Sequence, residues 1–234
     1  MFFDNQPEKV KLNAKTLLNR LKARGITNAF SQTGILAVVS KECGFLPKNE
    51  ISYSNTSNSR IKKVFGSRVA NLTDAELDIL KKNDKDFFEQ VYGGQHKWLG
   101  LGNTNKGDGF TYRGRGWNQI TGKALYHSYS TKLGIDLVTK PDLLNDVGIA
   151  SDCLIEYFKD RFASKVARLK EYNVTGINDF KNYNDSTGAF YHANAGWGFS
   201  TQSILADVTG GRKKAMERSK DIYEWITKQE NESL

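Results

Sequence analysis

The chain has few cysteines and few histidines, and both shortages exclude classes of protein. Its two cysteines, Cys43 and Cys153, are too few for a disulfide scaffold, so we expect reduced thiols, with a single bridge between them as the alternative. The three histidines, His96, His127 and His192, do not fall at the spacing of metal ligands. We therefore expect neither a metal site nor a bound cofactor.

Prolines and long apolar runs are also scarce. Only three prolines occur, none of them in a Pro/Gly/Ser tract that would separate modules, and there is no internal repeat. No stretch approaches the ~18 uninterrupted apolar residues of a membrane helix, so we expect no membrane insertion. The amino terminus lacks a basic region followed by an apolar run, which predicts synthesis in the cytoplasm without a signal peptide.

The composition is that of a folded chain with a basic surface. Hydrophobic residues make up 38% and charged residues 26% of the 234 residues, a length that fits one large domain or two small ones. Because no linker is visible, we expect a single domain over residues 1–234, with an N-terminal helix over 8–25 packed on it. The net charge of +8 favours an acidic partner, which could be nucleic acid, an anionic membrane or a cell wall.

The hydrophobic periodicity predicts a mostly helical protein. Thr73 and Glu76 have the spacing of a capping box, and Ser31 is the predicted cap of an apolar helix that Gly44 closes. Residues 93–121 break this pattern, since they are rich in glycine and have no period. Irregular segments of that length are uncommon in compact domains unless they carry function. We expect at most a small β-hairpin, near residues 110–112.

The most informative segment is residues 112–122, which read Tyr-Arg-Gly-Arg-Gly-Trp-Asn-Gln-Ile-Thr-Gly. Two arginines separated by glycines have no helical or strand period, and the glycines allow a tight turn or a close approach to a ligand. Donors and aromatic rings around such a bend suit a cleft that holds a polar polymer. The alternatives are an exposed basic loop or an RNA-binding element, although such elements usually recur in low-complexity tracts. Arg115 could equally brace the fold.

This run resembles the Tyr-Arg-Gly-Arg-Gly-x-x-Gln-x-Thr-Gly signature of glycoside hydrolase family 19, which includes chitinases and the related phage and bacterial peptidoglycan hydrolases. The segment Gly107-Asp108-Gly109 resembles the endolysin-like branch of that family, and the resemblance extends over roughly residues 30–211. It implies a mostly α, lysozyme-like architecture with two helical lobes around a substrate cleft. It also implies one catalytic domain without a separate wall-binding module.

The resemblance implies that Glu42 is the catalytic acid. Lys41-Glu42-Cys43-Gly44 is similar to the family's His-Glu-(Ser/Thr)-Gly-Gly motif, with lysine in place of histidine and cysteine in place of serine. The dipole at a helix carboxyl end and a nearby Phe45 would both favour the protonated carboxyl, whereas the ammonium of Lys41 would oppose it. The alternative is a solvated glutamate at a helix end.

Glu50 is the predicted catalytic base, with Ser52 or Ser54 helping it to activate water. Aligning the family motif on Tyr53 without a gap places its glutamate on Asn49, and a shift of one residue brings it to Glu50. The reserve candidate is Asp108, for which the alternative is an Asx turn. Together the two carboxyl groups would hydrolyse a glycosidic bond by single displacement with inversion, which requires them to be about 6.5–9.5 Å apart.

The resemblance also implies a set of substrate-binding residues. The aromatic ring of Trp197 could stack on a sugar or could instead be a core residue. The predicted set is Ser52, Tyr53, Ser54, Tyr112, Arg113, Gln119, Thr121, Asn194 and Trp197.

These observations favour an endolysin, a peptidoglycan hydrolase that cleaves β-1,4 bonds between amino sugars of the bacterial wall. A monomer made in the host cytoplasm would act at the wall after release, either free or carried on a virion. A chitinase is one alternative, and a wall-binding or tail-associated protein that has lost catalysis is another. A nucleic-acid-binding protein is the least favoured alternative and would bind with a steep dependence on salt, and we expect no specific nucleic-acid partner.

Overall fold

The computed structural model describes residues 1–195 and 210–232. The chain forms two compact units, one from Met1–Pro47 with Asp146–Leu234 and one from Lys48–Asn145. The second unit is a continuous segment that interrupts the first, and the single domain expected over 1–234 stays a prediction. None of the helices described is long and apolar enough to cross a membrane.

The described residues are mostly helical, which confirms the predicted fold class. Short 3₁₀ helices cover Gly66–Arg68, Gly94–Leu99 and Pro141–Asn145. The α-helices are α1 (Glu8–Ala23), α2 (Ala29–Glu42), α3 (Asn58–Phe65), α4 (Asp74–Leu80), α5 (Asp84–Tyr92), α6 (Asp108–Thr111), α7 (Lys123–Leu133), α8 (Val147–Ser164), α9 (Val166–Lys170), α10 (Tyr183–Asn194) and α11 (Gly211–Asn231).

Helix α2 is the centre of the first unit. Every residue over 31–40 is buried, because α10 and α11 both pack on this helix. A side chain at Gly34 would overlap Ser186 and Phe190 of α10, so only glycine allows this close approach. Asn28 caps α2 by accepting a hydrogen bond from Ser31 N at 2.9 Å. The predicted cap at Ser31 is therefore wrong, since the helix begins before that residue.

The predicted N-terminal helix is present as α1 and packs on α8 and α2. It ends at Ala23, two residues before the predicted end, and the positive φ of 82° at Gly25 marks the break. Arg24 donates from Nε to Asp152 Oδ1 of α8 at 2.8 Å, and Asp152 is buried. This charged pair joins the two helices at one edge of the first unit.

An aromatic and aliphatic core holds the second unit together. Helices α3, α4 and α5 surround it, and the predicted capping box of Thr73 and Glu76 begins α4. Tyr53 packs on this core by stacking at 5.0 Å on Phe87. The buried core residues are Ile61, Phe65, Val69, Leu77, Phe87, Phe88 and Val91.

The glycine-rich segment is mostly irregular, as the sequence predicts, but its few regular parts lie elsewhere than expected. The one-turn helix α6 occupies Asp108–Thr111, where we predicted a hairpin. Among the residues described, the one isolated β-bridge is antiparallel and joins Arg115 to Ile120. The chain therefore folds back within the arginine–glycine run itself, and this turn faces Glu50.

Candidate active site

The turn in the arginine–glycine run holds Glu50 from both directions. Glu50 N donates to the carbonyl of Gly114 at 2.7 Å, and Gly114 N donates to Glu50 Oε2 at 3.1 Å. A Cβ added at Gly114 would lie 2.8 Å from Gln119 Oε1 and 3.0 Å from Glu50 Oε2. Glycine is therefore needed here for the close approach of a carboxylate to the backbone.

Two tyrosines hold the other oxygen of the same carboxylate. Tyr53 and Tyr92 donate their hydroxyls to Glu50 Oε1 at 3.2 and 3.0 Å. The sequence pointed to Tyr53 but not to Tyr92. Tyr92 lies one helical turn after Phe88 on α5, and its ring stacks on Phe88 at 6.0 Å, so its spacing is that of a core residue. No feature of the sequence alone distinguishes its hydroxyl as a ligand of Glu50.

Burial and hydrogen bonding act on Glu50 in opposite directions. Burial raises the pKa of the Glu50 carboxyl, and the donors from Gly114, Tyr92 and Tyr53 partly offset that rise, with a smaller contribution from the charge of Arg68. Burial and the neighbouring Glu50 raise the pKa of Tyr53 to about 12, and that of Tyr92 rises for the same reasons. Both hydroxyls therefore stay protonated and donate throughout the neutral range.

Arg68 is a cation whose charge acts on Glu50, and nothing in the sequence pointed to it. Its guanidinium lies over the rings of Phe65 and Tyr92, at 4.8 and 5.5 Å from their centroids. Its Nε donates to the carbonyl of Phe65 at 3.1 Å. Arg68 thus places a positive charge beside Tyr92 without forming an ion pair with Glu50.

Glu50 opens onto a recess of about 310 Å³ in the second unit. Four predicted residues meet there, namely Glu50, Tyr53, Gln119 and Thr121. Gln119 is exposed, and its amide donates to the carbonyl of Lys48 at 3.0 Å, while Thr121 donates to the carbonyl of Gln119 at 2.9 Å. These side chains are positioned by the backbone and present polar atoms at the rim of the recess.

The neighbouring Asn49 lines the same recess as Glu50 but has a different hydrogen-bond partner. Asn145 Nδ2 donates to Asn49 Oδ1 at 2.8 Å, so this amide is engaged within the second unit. Glu50 supplies the carboxylate of the recess, and the one-residue shift from the family motif stays a prediction.

The two predicted serines contact an aspartate rather than Glu50. Ser52 donates to Asp84 Oδ1 at 2.7 Å, and its oxygen also lies 3.1 Å from Ser54 Oγ. Ser54 N donates to Ser52 Oγ at 3.2 Å. Neither serine hydroxyl forms a hydrogen bond with Glu50, so the predicted assistance to the base has no contact behind it. A substrate-binding role for these hydroxyls stays a prediction.

Tyr112 and Arg115 belong to the interior. Tyr112 is 5% exposed and donates its hydroxyl to the carbonyl of Val138 at 3.2 Å, so the prediction that it lines a cleft does not fit its burial. Arg115 is 3% exposed and donates to Asp142 Oδ1 and to the Tyr126 hydroxyl, both at 2.9 Å. Arg115 therefore braces the fold, through the carboxylate of Asp142 on the surface.

Arg113 is partly buried and faces a ring. Its guanidinium lies 4.1 Å from the centroid of Phe110, and Nη1 donates to the Phe110 carbonyl at 2.9 Å. Burial, together with the charge of Arg115, lowers the pKa of Arg113. Its predicted contact with substrate stays a prediction.

Asp108, the reserve candidate for the base, closes a loop. Its Oδ2 accepts hydrogen bonds from Thr104 N and Asn105 N, both at 3.0 Å, and lies 3.4 Å from Lys123 Nζ. The residue is 7% exposed. The donors precede Asp108 in the chain, whereas an Asx turn uses the N–H two residues further on, so Asp108 closes the loop in another way. Glu50 is the stronger candidate for the base.

Glu42 lies in the first unit, at the last residue of α2 as predicted. Lys41 Nζ lies 2.7 Å from Glu42 Oε1, and the Glu42 side chain is 31% exposed. The ring of Phe45 is fully buried and packs on Phe3 at 5.5 Å, and its predicted effect on Glu42 stays a prediction. The opposing ammonium of Lys41 does point at the carboxylate. It also lies 5.5 Å above the Tyr191 ring.

The remaining predictions concern the carboxyl end of α10. Asn194 is the last residue of that helix, and its carbonyl accepts a hydrogen bond from the Tyr157 hydroxyl at 3.3 Å. Its side-chain role stays a prediction. Trp197 lies outside the described residues.

Within residues 1–195 and 210–232, no three His, Cys, Asp or Glu side chains are placed to hold a metal ion. No disulfide joins Cys43 to Cys153, and burial raises the pKa of the Cys153 thiol to about 12. That thiol is therefore protonated at neutral pH.

One solved structure similar to this chain is the crystal structure of a glutamate-to-glutamine mutant of a chitinase C. The two are 15% identical, the match covers 90% of this chain and 83% of that one, and the TM-score is 0.49. No family model and no curated protein matches the sequence. A likeness of this degree identifies no function, so the function has to be inferred from the residues themselves.

Proposed function

We propose that this protein is a glycoside hydrolase that cleaves β-1,4 bonds between amino sugars of peptidoglycan, with inversion at the anomeric carbon. The observation that carries the proposal is the carboxylate of Glu50. Three donors hold it at the edge of a polar recess, and the turn that holds it bears the motif resemblance. The charge of +8 and the endolysin-like segment at 107–109 favour wall over chitin.

Glu50 would act as the general base. Two hydroxyls already donate to Oε1, whereas Oε2 accepts one hydrogen bond, from Gly114 N. A carboxylate oxygen can accept two hydrogen bonds, so Oε2 has a lone pair left for the proton of an attacking water. Partial burial gives this oxygen a higher proton affinity than an exposed carboxylate, which suits a base at neutral pH.

Glu42 would act as the general acid, an assignment that rests on the motif resemblance. The acid has to present its proton to the glycosidic oxygen, and in this structure Lys41 Nζ lies 2.7 Å from Glu42 Oε1. We therefore infer that Lys41 turns away from Glu42 when substrate binds. Its flexible side chain allows such a movement.

The test is hydrolysis of dye-labelled, purified Gram-negative wall sacculi, measured by the release of soluble dye. Soluble chitin oligomers are the second substrate. We expect wild type to hydrolyse the wall and Glu50→Gln to lose about 10²–10⁴-fold in rate, since this is what general acid–base catalysis contributes. Glu42→Gln should lose a similar factor. Glu217→Gln, which removes an exposed carboxylate on α11, is the matched control and should keep full activity.

Each other outcome has a distinct meaning. Hydrolysis of chitin but not of wall would make the protein a chitinase. Full activity in Glu50→Gln would remove Glu50 from the mechanism. Failure on both substrates would overturn the proposal and favour a protein that binds the wall without cleaving it. Product analysis by NMR tests the stereochemistry, because the first product should be the inverted anomer.

A further inference from the structure

The side chain of Trp98 is exposed on the second unit. It is 66% exposed, and no other aromatic residue in the described parts of the chain is exposed. It lies in the 3₁₀ helix Gly94–Leu99, within the glycine-rich segment. A tryptophan presents a large apolar surface, and its indole N–H is a hydrogen-bond donor. Single exposed apolar residues are common, so the arrangement around this ring decides whether it is a site.

The 3₁₀ helix that carries Trp98 is fastened to the end of α5. The last carbonyls of a helix have no partner within it, and side chains of this segment supply donors to them. Gln95 Nε2 donates to the carbonyls of Glu89 and Gln90 at 2.8 and 2.9 Å. His96 Nε2 lies 2.7 Å from the carbonyl of Gln90. The backbone beneath Trp98 is therefore held by the end of a helix, and its ring does not have to be buried to keep its place.

Both ends of this segment lie beside residues that line the recess described above. It begins directly after Tyr92, which lines the recess. At the other end, Leu101 packs closely on Gly122, where a Cβ would lie 2.7 Å from the Leu101 carbonyl oxygen. Gly122 follows Thr121, which also lines the recess. Since the three residues from Trp98 to Leu101 span at most about 11 Å, the indole lies within reach of a polymer bound in the recess.

A polar group lies next to the indole. The half-buried ring of His96 stands nearly perpendicular to that of Trp98, with their centroids 6.1 Å apart. Because the Gln90 carbonyl can only accept, His96 Nε2 carries the hydrogen in their contact. His96 Nδ1 then has no hydrogen-bond partner among the described residues. An open aromatic surface and an unused hydrogen-bonding atom therefore lie side by side.

This combination fits the ring of a sugar. A pyranose has faces made of C–H bonds and an edge made of hydroxyls, so it can lie on an indole and form hydrogen bonds at its rim. A hydroxyl both donates and accepts, which lets it pair with His96 Nδ1 in either protonation state. An apolar protein surface would need a wider apolar patch, whereas Gln95 and Lys97, on either side of His96, are polar and exposed.

We propose that Trp98 and His96 form a glycan-binding site outside the recess that holds Glu50, where one sugar ring of the polymer stacks on the indole. The inference rests on the proposed function for its choice of polymer. The recess has a volume of about 310 Å³, so a long sugar chain extends beyond it. Binding energy from a sugar far from the scissile bond lowers KM and leaves the chemical step unchanged. The site therefore selects long chains over short ones.

The first test measures binding without hydrolysis. The full chain carrying Glu50→Gln is titrated by calorimetry with long glycan strands of the bacterial wall, freed of peptide, and with their disaccharide unit. Adding Trp98→Ala should weaken binding of the long strands about tenfold, an effect like the loss of one aromatic stack on a nucleic-acid base. Trp98→Phe keeps an aromatic ring and should retain most of the affinity. The matched control is Ile79→Ala, which removes another exposed apolar side chain of the same unit.

The second test compares hydrolysis of long and short substrates. In the otherwise wild-type chain, Trp98→Ala should raise KM for long strands several-fold at unchanged kcat and leave hydrolysis of short oligomers as in wild type. The inference is overturned if Ile79→Ala weakens binding as much, or if a single-stranded oligonucleotide binds at Trp98 and glycan does not. If wall is hydrolysed but Trp98→Ala binds long strands like wild type, this inference alone fails. If long strands bind through Trp98 but nothing is hydrolysed, the proposed function alone fails.

Discussion

At the scale of single residues, the key feature is the double donation to Glu50 Oε1. Tyr53 approaches from the loop before α3 and Tyr92 from the end of α5, so the carboxylate is held from two separate elements. Rotation of the carboxylate would break hydrogen bonds on both oxygens. Such an arrangement fixes the direction in which Oε2 can accept a proton.

Removing the Tyr92 hydroxyl tests this orientation. Tyr92→Phe keeps the ring stacked on Phe88 but removes a donor that lowers the pKa of Glu50. We expect the acidic limb of the kcat/KM profile to move to higher pH, with a loss of about tenfold at neutral pH, since a hydrogen bond to a charged group contributes ~1.5–3 kcal/mol. The measurement is the full pH profile against that of Tyr183→Phe, a tyrosine of α10. An unmoved limb would mean that Tyr92 has only a packing role.

The sequence led to Glu50 and Tyr53 but misjudged other residues of the same motif. A motif gives the order of residues and not the direction of their side chains, so Tyr112 and Gln119 were indistinguishable as cleft residues. Tyr112 turned out to be buried, whereas Gln119 reaches the recess. The contact of Tyr92 with Glu50 could not be predicted, because Tyr92 has the helical spacing of a core residue.

At the scale of elements, the turn around Gly114 is the part that builds the site. It brings a backbone N–H and a backbone carbonyl to a residue 64 positions away. The bridge from Arg115 to Ile120 and the buried side chain of Arg115 fix this turn from behind. A change inside the turn should therefore affect activity more than stability.

Gly114→Ala tests that expectation. The new Cβ would be too close to Gln119 Oε1, at 2.8 Å, and in tight contact with Glu50 Oε2, at 3.0 Å, so the carboxylate has to shift. A displacement of this kind costs about 10²-fold in rate. Activity and melting temperature are compared with those of Gly176→Ala, where the atoms nearest to the added methyl belong to the side chain of Asp179. Unchanged activity in Gly114→Ala would show that the turn does not position Glu50.

Helix positions followed from periodicity, but the short elements of the glycine-rich segment did not. The capping box of Thr73 is local, so its two residues can be recognised in the sequence. Helix α6, in contrast, depends on Glu89 of another helix, which accepts from Gly107 N and Gly109 N. A contact between positions so far apart leaves no periodic signal, and a hairpin was predicted instead.

At the scale of the whole molecule, the burial of Glu50 should make stability depend on pH. A carboxyl whose pKa is raised in the folded state is protonated more often there than in the unfolded chain. This difference exists at pH values between its usual pKa of about 4.5 and the raised value. Stability contributed by Glu50 is thus present below that window and is lost as pH rises through it.

Glu50→Gln removes this dependence. We expect the free energy of unfolding of the variant to increase relative to that of wild type as pH rises from 4 to 7. The same substitution should lower the activity, because it removes the base. Urea unfolding at both pH values measures the difference. A constant difference between wild type and variant would contradict the raised pKa. Glu217→Gln, on the exposed face of α11, should show no such trend.

The mostly helical class could be predicted from the sequence, but the division of the chain into two compact units could not. Composition and periodicity report local preference, and no linker marks the boundaries at Pro47 and Asp146. The two units are distinguished by contacts between distant segments. A sequence scan for linkers therefore favoured one domain over 1–234.

The order of segments in the first unit has a consequence for synthesis on the ribosome. Helix α2 is buried over ten consecutive residues, and the helices that cover it, α10 and α11, are encoded after residue 182. The second unit, being continuous, can fold while the chain is still growing. The apolar surface of α2 is therefore covered only after α10 and α11 have been synthesised. A ribosome-bound intermediate would carry a finished second unit beside an unfinished first one, and Glu42 would be the last catalytic candidate to reach its final surroundings.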